Sequence, residues 1–215
     1  MTLSSSNIFV FDLDDTLYSE RDFEKSGIEF VYNTFDIKHI ELESIVANRK
    51  NWIENIIKDS NNQITLKNVL DIYRNHIPSI QLYEDSKIFL EKLISHGNEM
   101  SLITDGRSIT QRNKLRALGI ESYFTNIIIS EEINSEKPSE YNFKLVMNNK
   151  YNENYIYIAD NPNKDFITPN KLGWTTICLL DRGQNIHKQN FNLNKDFLPQ
   201  SSINSFDEII LYNEK

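Results

Sequence analysis

Ile8-Phe9-Val10-Phe11-Asp12-Leu13-Asp14-Asp15-Thr16-Leu17-Tyr18 is the stretch that decides how the rest of the chain reads. Its first four residues are apolar without alternation, the pattern of a central parallel strand covered on both faces. Carboxylates follow at once. In an open parallel sheet, ligands bind beyond the carboxyl ends of the strands, so Asp12 and Asp14 sit at the edge where a ligand would arrive. Alone, Asp14-Asp15 reads better as a solvated turn. The choice depends on what the other strands bring to that edge.

Three more runs have the same character: Met100–Ile103, Ile127–Ile129 and Tyr155–Ala159, with Thr175–Leu180 as a fifth strand. Helical patterns separate them. Asp85–His96 stops at Gly97, Ser108–Leu118 stops at Gly119, and Ser139–Asn148 carries Phe143, Leu145, Val146 and Met147. This alternation predicts the α/β class, with a Rossmann-like doubly wound parallel sheet as the core. From Leu17 to Pro78 no strand candidate occurs; helix-like stretches lie around Asp22–Phe35, His39–Lys58 and Ile64–His76. About 60 residues between two strands is far beyond a loop. The expected division is therefore a core of residues 1–16 and 79–215, with an inserted α-helical cap domain over 17–78.

Residues following each strand converge on one edge. Asp12, Asp14, Asp15 and Thr16 follow the first strand, and Thr104, Asp105 and Gly106 the second. Lys137, before Pro138, comes after the third; Asp160, Asn161 and Asp165 follow the fourth. Clustered carboxylates raise one another's pKa values unless a cation sits among them, and Mg²⁺ uses one or two carboxylates plus phosphate oxygens. A carboxylate can also attack phosphorus and form an aspartyl-phosphate. A second carboxylate two residues on can serve as general acid and then base. Lys137 and the Thr104 hydroxyl can hold phosphoryl oxygens. The composition fits phosphoryl transfer.

In that order these segments resemble the four signature motifs of the haloacid dehalogenase superfamily. Phe11–Tyr18 is similar to the first motif, Thr104 in Leu-Ile-Thr-Asp-Gly to the second, and Lys137 in Glu-Lys-Pro to the third. Asp160 and Asp165 in Ile-Ala-Asp-Asn-Pro-Asn-Lys-Asp-Phe match the acidic fourth. Ala159 stands where the family usually has Gly, a departure that leaves both carboxylates intact. The resemblance implies Asp12 as nucleophile and Asp14 as acid/base, with Thr104, Asp105, Gly106 and Lys137 around the phosphate. It implies Mg²⁺ on Asp12, Asp14 and Asp160, with Asp165 supporting these ligands from behind, and a cap between the first and second motifs. The implied activity is a Mg²⁺-dependent phosphatase acting on a small phosphorylated metabolite: a sugar phosphate, phosphoglycolate or a nucleotide monophosphate.

Other readings compete at each position. Thr104 can cap the helix near Ser108, and Lys137 outside the series would be a surface lysine. Arg107 and Gln111 either reach substrate or face solvent. His39, His76, His96 and His187 show no ligand spacing and receive no role. Tyr32, Phe35, Trp52 and Tyr73 read as helix packing, and Asp22, Lys25 and Glu29 as a solvated face. The single Cys178, in an apolar run, reads as a buried strand residue and precludes disulfide or cysteine–metal chemistry within the chain.

The net charge of −8, from 23 basic and 31 acidic residues, argues against a nucleic-acid partner. With 39% hydrophobic and 11% aromatic residues over 215 positions, the chain can bury a core. Neither a signal-peptide pattern nor a membrane span is visible, so the expectation is a soluble, cytoplasmic protein. Oligomeric state is not legible. Dehalogenation needs no acid/base Asp, so Asp14 argues against it, and a pump would need membrane spans. A sugar-phosphate mutase uses the same motifs and stays open; a silent binding module sits poorly with intact Asp12, Asp14, Lys137 and Asp160.

Overall fold

The computed structural model describes residues 1–4, 6–60, 63–148, 150 and 153–212. The chain starts with β1 (Thr2–Ser4) and β2 (Ile8–Phe11), then enters α1 (Glu20–Thr34), α2 (Leu42–Ala47), α3 (Trp52–Asp59) and α4 (Leu66–Asn75). Next come α5 (Glu84–Ser95), β3 (Met100–Thr104), α6 (Ser108–Leu118), β4 (Asn126–Ile129), α7 (Ser130–Ile133), α8 (Glu140–Met147) and β5 (Tyr155–Ala159). The last elements are α9 (Ile167–Lys171), β6 (Thr175–Leu179), β7 (Ser201–Ile203) and β8 (Ile210–Tyr212). Six strands form one sheet in the order β4-β3-β2-β5-β6-β7, and every pair is parallel. β1 pairs with β8 in a separate two-stranded ribbon.

The unbroken apolar runs have the expected cause. Odd residues of β2, Phe9 and Phe11, join Phe89, Leu90 and Leu93 of α5, Leu115 of α6 and Phe206 in one core. Even residues, Ile8 and Val10, join Phe143 and Val146 of α8, with Tyr157, Phe166 and Trp174, in another. Both faces are covered, so each strand must be apolar on both sides. The five predicted strands and the doubly wound parallel core are present.

The segment between β2 and β3 carries its own apolar cluster, built on Ile28, Val31, Ile45, Trp52, Ile56 and Val69. The helix predicted over His39–Lys58 is broken at Asn48 into α2 and α3, with a 3₁₀ turn at Arg49–Asn51 between them. The aromatics there pack: Trp52 and Tyr73 have ring centroids 5.3 Å apart, and Phe23 and Tyr73 5.5 Å. At Gly27 of α1 a Cβ would lie 2.3 Å from the Tyr73 ring, so glycine is what lets α1 and α4 approach. Lys25 and Glu29 pair at 3.8 Å on the exposed face, and Cys178 is buried in β6. Among the described residues no helix is long and apolar enough to cross a membrane.

One ion pair ties the sheet's far end to α5. Arg182 donates to both oxygens of Asp85, at 2.9 and 2.5 Å, while Ser205 Oγ and Phe206 N each donate to Oδ2 at 2.8 Å. Burial alone would raise the Asp85 carboxyl, but these donors outweigh it and hold it down to about 2. The stabilisation is therefore present above the unfolded-state value near 4 and lost as pH falls toward 2. Asp85→Asn should cost on the order of 1 kcal/mol at pH 7, after discount for solvent screening of the partly exposed pair. Thermal melts should show the gap to wild type shrinking between pH 4 and pH 2; a gap independent of pH would remove the ion pair as its cause.

Candidate active site

Asp12 continues the line of β2: its N–H donates to Ile158 O at 3.0 Å, extending the ladder of β2 with β5 by one step. Strand alternation puts it on the face of Val10 and Tyr157. The chain then turns sharply. Leu17 N donates to Leu13 O at 3.0 Å, and Asp15 takes a left-handed φ of 53°, a conformation that Asp tolerates better than most residues. The Asp15 carboxylate is spent on the turn, accepting from Glu20 N at 2.9 Å and Ile186 N at 2.8 Å. Asp12 and Asp14 consequently face different partners.

Asp12 meets Lys137, whose Nζ lies 2.8 Å from Asp12 Oδ1 and 2.8 Å from Asp165 Oδ1 with its side chain wholly buried. The Lys137 ammonium also lies 3.3 Å from the Tyr157 hydroxyl. Burial alone would lower the Lys137 ammonium, yet the Asp12 and Asp165 charges prevail and hold it well above its usual range. Burial pushes Asp12 up to about 6 in spite of Lys137, with Asp165 adding to the rise.

Asp14 has its own cation. Lys114 of α6, 3% exposed, places Nζ 2.7 Å from Asp14 Oδ1; Gln111 Nε2 donates to Oδ2 at 2.9 Å, and the Tyr18 hydroxyl donates to Oδ1. Burial would raise the Asp14 carboxyl, but Lys114, Tyr18 and Gln111 outweigh it and hold it below the usual range. Gln111 also donates to Thr104 Oγ1 at 2.6 Å and Asp105 O at 3.2 Å, so one amide links three of the predicted residues. Arg107 turns away and pairs with Glu131 at 3.4 Å.

Asp105 is a strut. Its Oδ1 accepts from Lys137 N at 3.0 Å and its Oδ2 from Lys164 Nζ at 2.9 Å. Gly106 sits at φ 138°, donating to Ser130 Oγ at 2.9 Å, and a Cβ there would press on Gln111 at 3.3 Å. The fourth predicted segment forms a tight turn in which Asn161 N donates to Asp165 Oδ2 at 3.0 Å.

The side-chain oxygens of the residues read as metal ligands do not all meet at one point. Carboxylate oxygens of Asp12, Asp160 and Asp165 lie within 4.8 Å of one another; the Asp14 carboxylate is not in that group, because Lys114, Tyr18 and Gln111 draw it aside. Asp165, expected behind the ligands, is in it. These three carboxylates face one ammonium, Lys137, which leaves two negative charges uncompensated when all are ionised. Burial and the neighbouring Asp165 and Asp12 accordingly push Asp160 well above its usual range. A divalent cation fits that deficit in charge and in ligand type.

The acids open on a cavity of about 90 Å³, lined by Asp12, Asp14, Glu20, Thr104, Asp160 and His187 among others. That is roughly three water volumes, the scale of a phosphoryl group. Two lining residues carried no signal in the sequence. Glu20 opens α1, where burial and Asp14 push its carboxyl up to about 8. His187 is exposed at the mouth. Lys114 was missed as well; its spacing of three from Gln111 puts both on one helix face, a signal that becomes readable once Gln111 is a candidate.

The family model of the haloacid dehalogenase-like hydrolases matches residues 9–179. The chain belongs to that family. It is 30% identical to the glyceraldehyde 3-phosphate phosphatase of Methanocaldococcus jannaschii, across 94% of each chain, in line with the expectation of a phosphoric monoester hydrolase. Among solved structures it resembles the HAD-hydrolase YfnB of Bacillus subtilis bound to magnesium (TM-score 0.66, 17% identity, 94% of this chain and 96% of that one). It also resembles a 2-haloacid dehalogenase of Pseudomonas syringae (TM-score 0.62, 15% identity, 94% and 95%). At such identities the likeness is one of fold. A fold shared with a dehalogenase leaves the chemistry to the site.

Lys114→Met leaves the buried Asp14 charge without its cation. Breaking a buried pair costs about 3–5 kcal/mol, at the lower end here because Tyr18 and Gln111 remain. Lys114→Met combined with Asp14→Asn should recover most of that loss. The melting temperatures of the two single variants and the double variant decide it: simple additivity would mean that the two side chains are not coupled.

Proposed function

We propose that the protein is a Mg²⁺-dependent phosphatase that takes a small phosphate monoester and passes its phosphoryl group through Asp12. The observation that carries this is the separation of the two carboxylates. Asp12 stands among acids that call for a cation, whereas Asp14, two residues away, has a private lysine. A dehalogenase would have no use for the second arrangement.

In the reaction proposed, an oxygen of Asp12 attacks phosphorus and the bond from phosphorus to the substrate oxygen breaks, giving an aspartyl-phosphate. Asp14 delivers a proton to the departing oxygen. It then removes one from the water that cleaves the acyl phosphate, and Asp12 is restored. Beside Lys114, Asp14 is ionised in the free site, the form that the second half needs; the charge of an incoming phosphate dianion draws a proton onto it for the first. Lys137 and the Thr104 hydroxyl bind phosphoryl oxygens, with Asp105 and Gly106 shaping the loop. Asp12, Asp160 and Asp165 would hold Mg²⁺, which when bound offsets negative charge on the phosphoryl group.

The cavity admits the phosphoryl end and leaves the rest of the substrate to the mouth, under residues 17–78 acting as a cap. Glu20, whose carboxyl is pushed up by burial and by Asp14, can in its protonated form donate a hydrogen bond there without repelling phosphate. Glyceraldehyde 3-phosphate is the first substrate to test, on the strength of the Methanocaldococcus jannaschii relative. That relative also favours water over a second sugar hydroxyl as the acceptor, and so hydrolysis over a mutase.

Phosphate release from glyceraldehyde 3-phosphate, phosphoglycolate and a panel of sugar and nucleotide monophosphates, with Mg²⁺ and with excess chelator, is the direct experiment. Release should require Mg²⁺, and Asp12→Asn should lower kcat by roughly 10⁴-fold or more. Undiminished turnover in chelator, or in Asp12→Asn, would overturn the reading.

A further inference from the structure

Asp160 differs from Asp12, Asp14, Asp105 and Asp165. Asp12 and Asp165 share Lys137, Asp14 has Lys114, and Asp105 has Lys164. Among the described residues no lysine or arginine pairs with Asp160. Its side chain is held instead by a neutral amide: Asn185 Nδ2 donates to Asp160 Oδ2 at 2.9 Å, and Asn185 is 7% exposed.

The amide arrives there by construction. After β6, Asp181 Oδ1 accepts from the backbone N–H groups of Gly183, Gln184 and Asn185 at 2.7, 3.0 and 3.0 Å, folding Asp181–Asn185 into a tight loop. Gly183 takes φ 82° within it. Gln189 closes the far end, its Nε2 donating to Asp160 O at 2.7 Å and Leu179 O at 2.8 Å while its Oε1 accepts from Asp181 N at 2.9 Å. The Ile186 N–H is fixed to Asp15 and the Arg182 side chain to Asp85. Asn185 therefore has little freedom to be anywhere else.

We propose that Asn185 is a positioning residue for the divalent cation, an assignment resting on the metal reading above. A carboxylate can be oriented by an ammonium or by a neutral donor, and the two differ in what they leave behind. An ammonium would cancel one of the two negative charges that make the site divalent. An amide fixes the rotation of the carboxylate, and thus the oxygen left for the ion, while leaving the charge intact. Outer partners of this kind are typically worth 10–100-fold in metal affinity.

Calorimetric titration of Mg²⁺ into substrate-free enzyme tests this without reference to turnover. Asn185→Ala should weaken Mg²⁺ binding about 10-fold or more, with a smaller loss of kcat at saturating Mg²⁺. Asn185→Lys should abolish binding in the same range. Equal Mg²⁺ affinity in Asn185→Ala and wild type overturns the inference and leaves the metal reading standing, whereas no binding to wild type overturns both. A loss of kcat at saturating Mg²⁺ that exceeds the loss of affinity would also overturn it, since that marks a general structural role. If Asn185→Ala does not fold, Asn185→Leu, which keeps the volume and removes the donor, is judged by the same criteria.

Discussion

Lys137 holds its ammonium 2.8 Å from Asp12 and 2.8 Å from Asp165 with no access to water, and the rest of the site is arranged around what this does and does not achieve. Burying an isolated ammonium is prohibitive, so the lysine needs at least one carboxylate, and two make it secure. Two carboxylates and one ammonium would already be slightly negative; Asp160, brought within 4.8 Å by the adjacent strand β5, makes the imbalance larger. A site meant only for stability would not be built this way, since an apolar replacement of a buried ionic cluster is often at least as stable. The imbalance is useful where the missing positive charge is supplied by a divalent ion, which could also hold an anionic phosphoryl group against the acids.

The same reasoning separates the two carboxylates of the first strand's edge. Asp12 and Asp14 are chemically identical and two residues apart, yet Asp12 is pushed up to about 6 and Asp14 is held below its usual range. The turn after Phe11 accounts for this. Asp12 still obeys the alternation of β2 and faces Lys137, but the left-handed step at Asp15 swings Asp14 toward α6, where Lys114 and Gln111 wait. Enzymes commonly assign roles to paired acids by giving them different environments, and here a single turn produces the difference.

How much of this was legible follows from which interactions are local. The strands could be read because burial on both faces leaves no polar alternation, and the strand ends because parallel topology gathers them at one edge. Asp12, Thr104, Lys137, Asp160 and Asp165 were readable for that reason. Lys114 and Asn185 were not: each lies far along the chain from the acid it serves, and nothing about a lysine in mid-helix or an asparagine in a polar loop sets it apart. The turning of the Asp14 carboxylate toward Lys114 was not legible either, because spacing along a strand says nothing about a turn just beyond it. β1, β7 and β8 escaped notice because each has three residues, too few to show a period. The break at Asn48 escaped because the apolar spacing runs through it, and the packing of Ile45 and Ile56 in one cluster decides where the chain bends.

The helical insertion is tied to the core through the very elements that hold the acids. Thr110 Oγ1 donates to Arg74 O at 3.0 Å, and Asn113 Nδ2 donates to Asn75 O and His76 O at 3.0 and 3.1 Å, so α6 grips the end of α4 with the face next to Gln111 and Lys114. The Lys114 ammonium also lies 4.3 Å from the centre of the Phe23 ring in α1, a cation–π distance. On the other side of the site, Arg21 of α1 donates to Asn185 O at 3.4 Å. A shift of α1 relative to the sheet would thus pull on the partner of Asp14 and on the partner of Asp160 together. Packed elements tend to occupy discrete arrangements rather than deform continuously. The contacts that place α1 and those that orient both acids are therefore one mechanical unit, and substitutions at the base of the insertion should be felt in the chemistry as much as in substrate choice.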